Sequence, residues 1–497
     1  MAEGETLNKI GKGAFVFILG VIFSKFFGLF YKVLVARTGP YNYGVLSLGI
    51  GVFGIFGAIS TMGLDWGVTK YVAYYRNKMD TPRIKGIITS ALKLSFIVAF
   101  LLSVFGFIMA DVIAQRIFHN PDLTIVLRIF MLAVPFDAMR RIFIGTTKAF
   151  QHVKYETYSR DLIENIIKLS LTIIVVILGA SLLGLSIAFI GGILASFIAV
   201  VYFTEKNVFS IFKTKIVSIK PYWELFNYSW PLMFTALLFM LSLWTDSLLI
   251  GYFKDAATVG IFNAAGPIAF LVYQLPSSLM VIFLPIITDL RAKGDSAGVE
   301  SVHKTVSRWI FITGLMAVAG MAIFSKELID LIFGNNYLLA STPLIILAIG
   351  YFINSFIFSG QRILMAFDKT RLIFVDITIS FSLNILLGIL LIPRYGLIGA
   401  AVSTALSFIL LSIITLIQTR YVLKLKTFEM IYFRQAIPVL MSSGLIFALK
   451  DFFQGLLFIL GLLLIPALSL ALIYITHGFN ENEIIMAKAV ISKIKKN

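Results

Sequence analysis

SKFFGLFYKVLVARTGPYNYG, residues 24–44, is the stretch that decides the fold, because here the first long apolar segment carries lysines and then turns. Lys25 lies about a dozen residues into an apolar run, roughly 18 Å along a helix rising 1.5 Å per residue, near the middle of a hydrocarbon layer about 30 Å thick. Lys32 follows two helical turns later on the same face, with Gly28 as a notch between them. An ammonium at that depth costs on the order of 3 kcal/mol, so it faces protein or water and not lipid. Two readings follow: the lysines pair with acids of neighbouring spans, or they line a cationic cavity inside a helix bundle.

The rest of the composition agrees with a membrane setting. Of 497 residues, 59% are hydrophobic and 13% charged, and the mean hydropathy is +0.95. A soluble chain would carry roughly a quarter charged residues. The absence of cysteine removes a disulfide framework, a thiol nucleophile and Cys-ligated metal. The net charge of +17 reads as the positive-inside bias of a polytopic protein and not as a nucleic-acid surface. No cleavage-site pattern follows the first apolar run, so it reads as a retained span.

Fourteen apolar segments have spanning length: 13–35, 43–66, 86–110, 123–146, 157–180, 183–203, 227–250, 258–288, 305–325, 339–363, 371–392, 396–418, 434–450 and 453–476. Basic residues collect in alternate connections, among them Lys70–Lys85, Lys206–Lys220 and Arg291–Arg308, and in the tail from Lys488. That alternation predicts both termini on the cytoplasmic side of the cell membrane. The tail, 483–496, has Ile484, Ala487, Ile491 and Ile494 on one face and reads as a surface-lying helix.

The chain is also a duplication. Arg76-Asn-Lys-Met-Asp80 recurs 215 positions later as Arg291-Ala-Lys-Gly-Asp295, and Ile117-Phe118 and Gly145 recur as Ile332-Phe333 and Gly360 at the same offset. Gly184-Leu-Ser-Ile-Ala188 resembles Gly396-Leu-Ile-Gly-Ala400. The expected organisation is an all-α polytopic membrane protein with two parallel six-helix repeats, 1–203 and 227–418. A basic linker, 204–226, joins them, two further helices lie in 419–476, and a basic amphipathic tail occupies 477–497. Gly49, Gly51, Gly54 and Gly57 mark close helix packing, and Pro267, Pro276 and Pro285 predict kinks in the eighth span.

Ordered motifs then carry a family resemblance. Ala36-Arg-Thr-Gly-Pro-Tyr-Asn-Tyr-Gly44, Gly63-Leu-Asp-Trp-Gly67 with Tyr71–Arg76 and Asp80, and Asp246-Ser-Leu-Leu-Ile-Gly251 with Val259-Gly-Ile-Phe262 resemble segments of the Wzx-type oligosaccharide flippases. That branch belongs to a superfamily that also holds drug/cation antiporters and lipid II flippases. The resemblance implies a V-shaped twelve-helix core with a central cavity and two peripheral helices. It implies translocation of a polyprenyl-pyrophosphate-linked glycan from the cytoplasmic to the external leaflet. With no nucleotide site to drive that movement, H+ or Na+ is the expected coupling ion, and glycosyltransferases or a glycan polymerase are expected partners. A cation-coupled drug antiporter and a lipid II-type flippase are the alternatives.

A pyrophosphate needs buried cations, and the first half supplies Lys25, Lys32, Lys93, Arg140, Arg141 and Lys168, the second chiefly Arg362. The substrate-binding candidates are Lys25, Lys32, Lys168, Arg140 and Arg141. Local pairing competes with that reading, since Asp137 stands at i−3 and i−4 to the arginines and Glu164 at i−4 to Lys168. Ion-coupling candidates are Asp246, Asp376, Asp161 and Glu164; Asp246 has no basic residue within one turn. There is no Gly-x-x-x-x-Gly-Lys loop, no His-Glu-x-x-His and no large donor-binding loop, so neither an enzyme nor a cofactor is expected.

Overall fold

A computed structural model describes residues 26–211, 222–277, 280–421 and 431–476. Lys25, residues 212–221 of the basic linker and the tail 477–497 lie outside these. The described secondary structure is helical, and nine of the helices are long and apolar enough to cross a membrane. The chain divides into two compact units, 1–260 and 261–497.

Unit 1 begins with helix α1 (Phe26–Ala36). Its C-terminus is closed by Thr38, whose hydroxyl donates to the Val35 carbonyl at 2.7 Å. Gly39 then takes φ +114°, a region closed to most side chains, and Pro40 starts α2 (Pro40–Thr61), where a missing N–H costs nothing. Gly44 lies against the backbone of Ala256, which a methyl group would overlap. The Gly-Pro-x-x-Tyr-Gly motif is thus a turn followed by a close helix crossing.

The glycine row of α2 serves two neighbours. Gly49 and Gly57 face α5 (Asp122–Ala149), whereas Gly51 and Gly54 face Trp244 and Met240 of α8 (Tyr222–Phe253). Between α2 and α5 run α3 (Leu64–Asn77) and α4 (Thr81–Asp111). Residues 64–77, the end of the expected span 43–66 and the connection after it, are helical; Met62 and Gly63 at φ 53° and 67° make the bend, and Gly63 packs on α8. After α5, a π-helical turn at Thr157–Ile163 leads into α6 (Glu164–Ile177), then α7 (Leu182–Phe203). Leu64, Val68, Ile87, Ala91, Ile142 and Val200 fill the core. Phe96, Phe100, Leu101, Phe105 and Ile108 of α4 are exposed, as expected for a lipid-facing surface.

The division between units falls within α9 (Ala256–Ala269). Unit 2 continues with α10 (Leu271–Ser277) and α11 (Met280–Ala292), and the expected span 258–288 is interrupted at Phe270, three residues after Pro267. Helices α12 (Ser296–Ile323), α13 (Ser325–Ile332) and α14 (Ser341–Ala366) follow. The eleventh and twelfth expected spans form one helical run, α15 (Thr370–Tyr421), that breaks at Gly396 (φ 54°, ψ −123°). Its legs fold back on each other: Ser380 donates to the Ser407 carbonyl at 2.8 Å, and Asn384 to Thr404 at 3.1 Å. The last helices, α16 (Ile431–Ala448) and α17 (Phe458–Ile475), pack on α12 through Ile323, Phe324, Ile446 and Ile465.

The repeated strings carry repeated geometry. Asp80 (φ −87°, ψ 75°) caps α4 by accepting from the Arg83 amide at 3.1 Å, and Asp295 (φ −83°, ψ 78°) caps α12 by accepting from the Gly298 amide at 2.8 Å. Arg76 donates to the Ala149 carbonyl at the end of α5, and Arg291 to the Ala366 carbonyl at the end of α14. In each unit an arginine closes the open carbonyls of a helix C-terminus.

Candidate functional site

Unit 1 gathers five charged side chains of α5 and α6 into one buried network. Asp137 is 1% exposed and holds both arginines of its own helix. Its Oδ1 accepts from Arg140 Nη2 at 2.5 Å and Nε at 3.1 Å, and its Oδ2 accepts from Arg141 Nε at 2.8 Å. The spacings i+3 and i+4 place all three on one helix face.

The network then crosses to α6. Arg140 Nη1 donates to Glu164 Oε2 and, at 3.3 Å, to Ser196 of α7. Glu164 Oε1 lies 3.8 Å from Lys168 Nζ. The Lys168 ammonium also stands over two rings, 4.9 Å from the centroid of Tyr31 on α1 and 5.5 Å from that of Phe189 on α7. A desolvated cation is stabilised by about 2 kcal/mol over such faces. Arg140 and Lys168 are 7% and 8% exposed, so lipid does not reach them.

Two glycines create the room. A β-carbon at Gly57 of α2 would stand 3.3 Å from Asp137 Oδ2, and one at Gly192 of α7 would stand 2.8 Å from the Glu164 carbonyl. Gly192 therefore lets α7 press against α6 and brings Ser196, one turn on, to Arg140. The π-helical turn before Glu164 inserts an extra residue into the helix, which re-aims everything that follows.

Arg140, Arg141 and Lys168 face Asp137 and Glu164, and Asp65 of α3 adds a third carboxylate within electrostatic reach of Arg141. Arg141 is the most open member, its side chain 31% exposed, and its hydrogen bond runs through Nε alone. Lys168 makes one long ion pair and otherwise meets rings. Both therefore keep N–H donors for an incoming anion. The Tyr31 hydroxyl beside Lys168 is buried with no hydrogen-bond partner among the described residues. No group of three or more His, Cys, Asp or Glu able to hold a metal occurs among the described residues.

The other sequence candidates fall elsewhere. Lys32 is on the exposed side of α1, and Lys25 lies outside the described residues. Asp161 sits 3.8 Å from Arg160, in a neighbouring group where Glu156 meets Lys148 and Arg160 at 3.0 Å each. Asp246 on α8 is half-buried and engaged in interactions of its own, so the lack of a basic residue within one turn does not isolate it. Asp376 belongs to unit 2 and accepts from Gln418 at 2.7 Å. Tyr31, Phe189, Ser196 and Gln418 were not legible as site residues, since each reaches its partner across a helix interface.

The chain is similar in sequence and in fold to known proteins. The "Probable low-salt glycan biosynthesis flippase Agl15" of Haloferax volcanii is 28% identical over 239 residues, 47% of this chain and 49% of the relative. This chain thus spans about half the length of that protein. The "Probable flippase AglR" of the same organism is 25% identical over 391 residues, covering 75% and 77%. A solved structure titled "Lipid II flippase MurJ, inward closed conformation" superposes with a TM-score of 0.75 at 18% identity, over 92% of this chain and 97% of that one, so the fold is shared. Residues 231–390 match the MatE family. Residues 10–291, more than half of the chain, match the family described as polysaccharide biosynthesis protein, and the chain belongs to that family.

Proposed function

We propose that this membrane protein translocates a polyprenyl-pyrophosphate-linked oligosaccharide across the cytoplasmic membrane, driven by an ion gradient. The observation that carries the reading is the state of Arg141 and Lys168, two cations anchored by Asp137 and Glu164 with donors still open beside a buried hydroxyl and two rings. Diphosphate oxygens accept from such donors, and the rings and hydroxyl suit a sugar face. The names of the haloarchaeal relatives and of the solved lipid II flippase support it.

Lys25 and Lys32 extend the cationic surface along the first helix in this reading. The repeats 1–203 and 227–418 are the moving halves, with both termini cytoplasmic. Asp246, Asp376, Asp161 and Glu164 are the carboxylates available for H+ or Na+. The MatE match at 231–390 favours one second reading, a cation-coupled antiporter of organic cations. Such a substrate would meet the open donors of the cations Arg141 and Lys168 at this network.

The test is reconstitution of the full chain in liposomes with a fluorescent polyprenyl-diphosphate oligosaccharide. Movement between leaflets above that of empty liposomes, competed by unlabelled glycan-lipid and not by organic cations, is expected. Cation extrusion without glycan-lipid movement would overturn the reading in favour of the antiporter.

A further inference from the structure

Asp376, on the first leg of α15, is 1% exposed. Gln418, on the returning leg, donates through Nε2 to Asp376 Oδ1 at 2.7 Å. The other edge of each planar group is buried and unmatched: Asp376 Oδ2 and Gln418 Oε1 both lack a partner among the described residues. With Asp376 ionised, both atoms are acceptors, and a buried charge is matched by one neutral amide alone.

The charged groups of the surrounding elements do not change this. They are Arg371, Arg394 and Arg420 on α15, Asp368 and Lys369 in the turn before it, and Arg362 on α14, which also carries the titratable Tyr351. Asp368 is paired with Arg291 at 2.8 Å, and Gln418 is the one side chain bonded to Asp376 among the described residues. Among the described residues no cation stands against the carboxyl.

One proton resolves both orphans. A proton on Oδ2 removes the buried charge and makes the acid a donor, for which the unmatched Gln418 Oε1 is the complementary acceptor, while the amide still donates to Oδ1. We propose that Asp376 and Gln418 form a proton-binding site, occupied in this conformation by a proton on Asp376 Oδ2, and that its release couples a proton gradient to transport. Release leaves a bare carboxylate, which must then find water, and so favours a conformation that hydrates the legs of α15. The coupling half rests on the proposed transport function; the site itself does not.

The test is infrared spectroscopy of the full chain in lipid bilayers across a pH series. The wild type is expected to show, at neutral pH, the C=O stretch of a protonated carboxylic acid that shifts in D2O and fades at high pH. It should be absent in Asp376→Asn, which keeps the size of the acid, and displaced to higher frequency in Gln418→Leu, which removes its acceptor. A spectrum in which wild type and Asp376→Asn are identical in this region overturns the site. Loss of the band on adding sodium at constant pH also overturns it, by making the site one for sodium. In liposomes, the ratio of glycan-lipid movement with and without a pH gradient should fall to one in Asp376→Asn, and an unchanged ratio overturns the coupling. Absence of any movement in the wild type would count against the transport function and leave the infrared result standing.

Discussion

Arg140 on α5 and Glu164 on α6 form an ion pair in the interior of unit 1, their side chains 8% and 14% exposed. Each has a second partner, Asp137 for Arg140 and Lys168 at 3.8 Å for Glu164, so removing one charge alone leaves the other buried and only partly matched. Breaking such a pair costs about 3–5 kcal/mol, whereas replacing both partners by apolar groups is often neutral.

Arg140→Met and Glu164→Leu are therefore each expected to destabilise the protein, and the double substitution to cost less than the sum of the two, Lys168 losing its ion pair in both Glu164 variants. Thermal unfolding of the detergent-solubilised single and double variants gives the coupling energy directly. Additive losses would mean that the pair does not hold α5 against α6. Arg140 is on this argument an anchor that positions Arg141 and Lys168.

Arg141 and Lys168 should behave differently, because their open donors are what an anion would meet. Arg141→Gln and Lys168→Met each remove a charge-assisted hydrogen bond of about 1.5–3 kcal/mol, which predicts roughly 10- to 100-fold weaker glycan-lipid binding. Stability should change far less than in the Arg140 variant. Lys168→Arg keeps the charge and is expected to retain part of the binding. Equal affinity of Lys168→Met and wild type would show that Lys168 only fills space between Tyr31 and Phe189.

Gly192 tests whether the closeness of α6 and α7 matters. A methyl group there would press on the Glu164 carbonyl and the Lys168 β-carbon at 2.8 Å and 2.9 Å. Gly192→Ala is expected to cost about 1–3 kcal/mol by overpacking and to lower transport by pulling Ser196 away from Arg140. Gly191→Ala, whose neighbour is the flexible end of Leu171, should cost less. Thermal unfolding and the liposome assay on both variants separate the two positions.

How much of this was legible in the sequence follows from which interactions are local. Asp137 with Arg140 and Arg141, and Glu164 with Lys168, are spacings of three and four on one helix, and the structure pairs them so. The Arg140–Glu164 bridge has no spacing rule, since it depends on how α5 meets α6 and on the π-helical turn ahead of Glu164. The repeat was legible as matching strings, and the shared caps at Asp80 and Asp295 give its physical reason. Lys32 reads as part of a cationic face lining a cavity or as the partner of an acid on a neighbouring span, and its side chain is exposed on α1. A residue's depth in an apolar run does not say which side of the helix its neighbours cover.

Topology is open to a direct measurement because the chain has no cysteine. Single cysteines are therefore unambiguous reporters in intact cells treated with a membrane-impermeant thiol reagent. Lys78, Lys254 and Lys326 are exposed positions at helix ends, where substitution disturbs no packing. The charge alternation places Lys78 and Lys215 on the cytoplasmic side, with Lys254 and Lys326 outside. Lys78→Cys and Lys215→Cys are expected to stay unlabelled until the cells are permeabilised, and Lys254→Cys and Lys326→Cys to label at once. Lys78 and Lys254 belong to successive repeats, so the pattern also tests that the repeats run parallel. Labelling of Lys215→Cys from outside would invert the orientation. Lys78→Cys protected with Lys326→Cys also protected would mean an odd number of crossings lost between the repeats, and the parallel arrangement would fall with it.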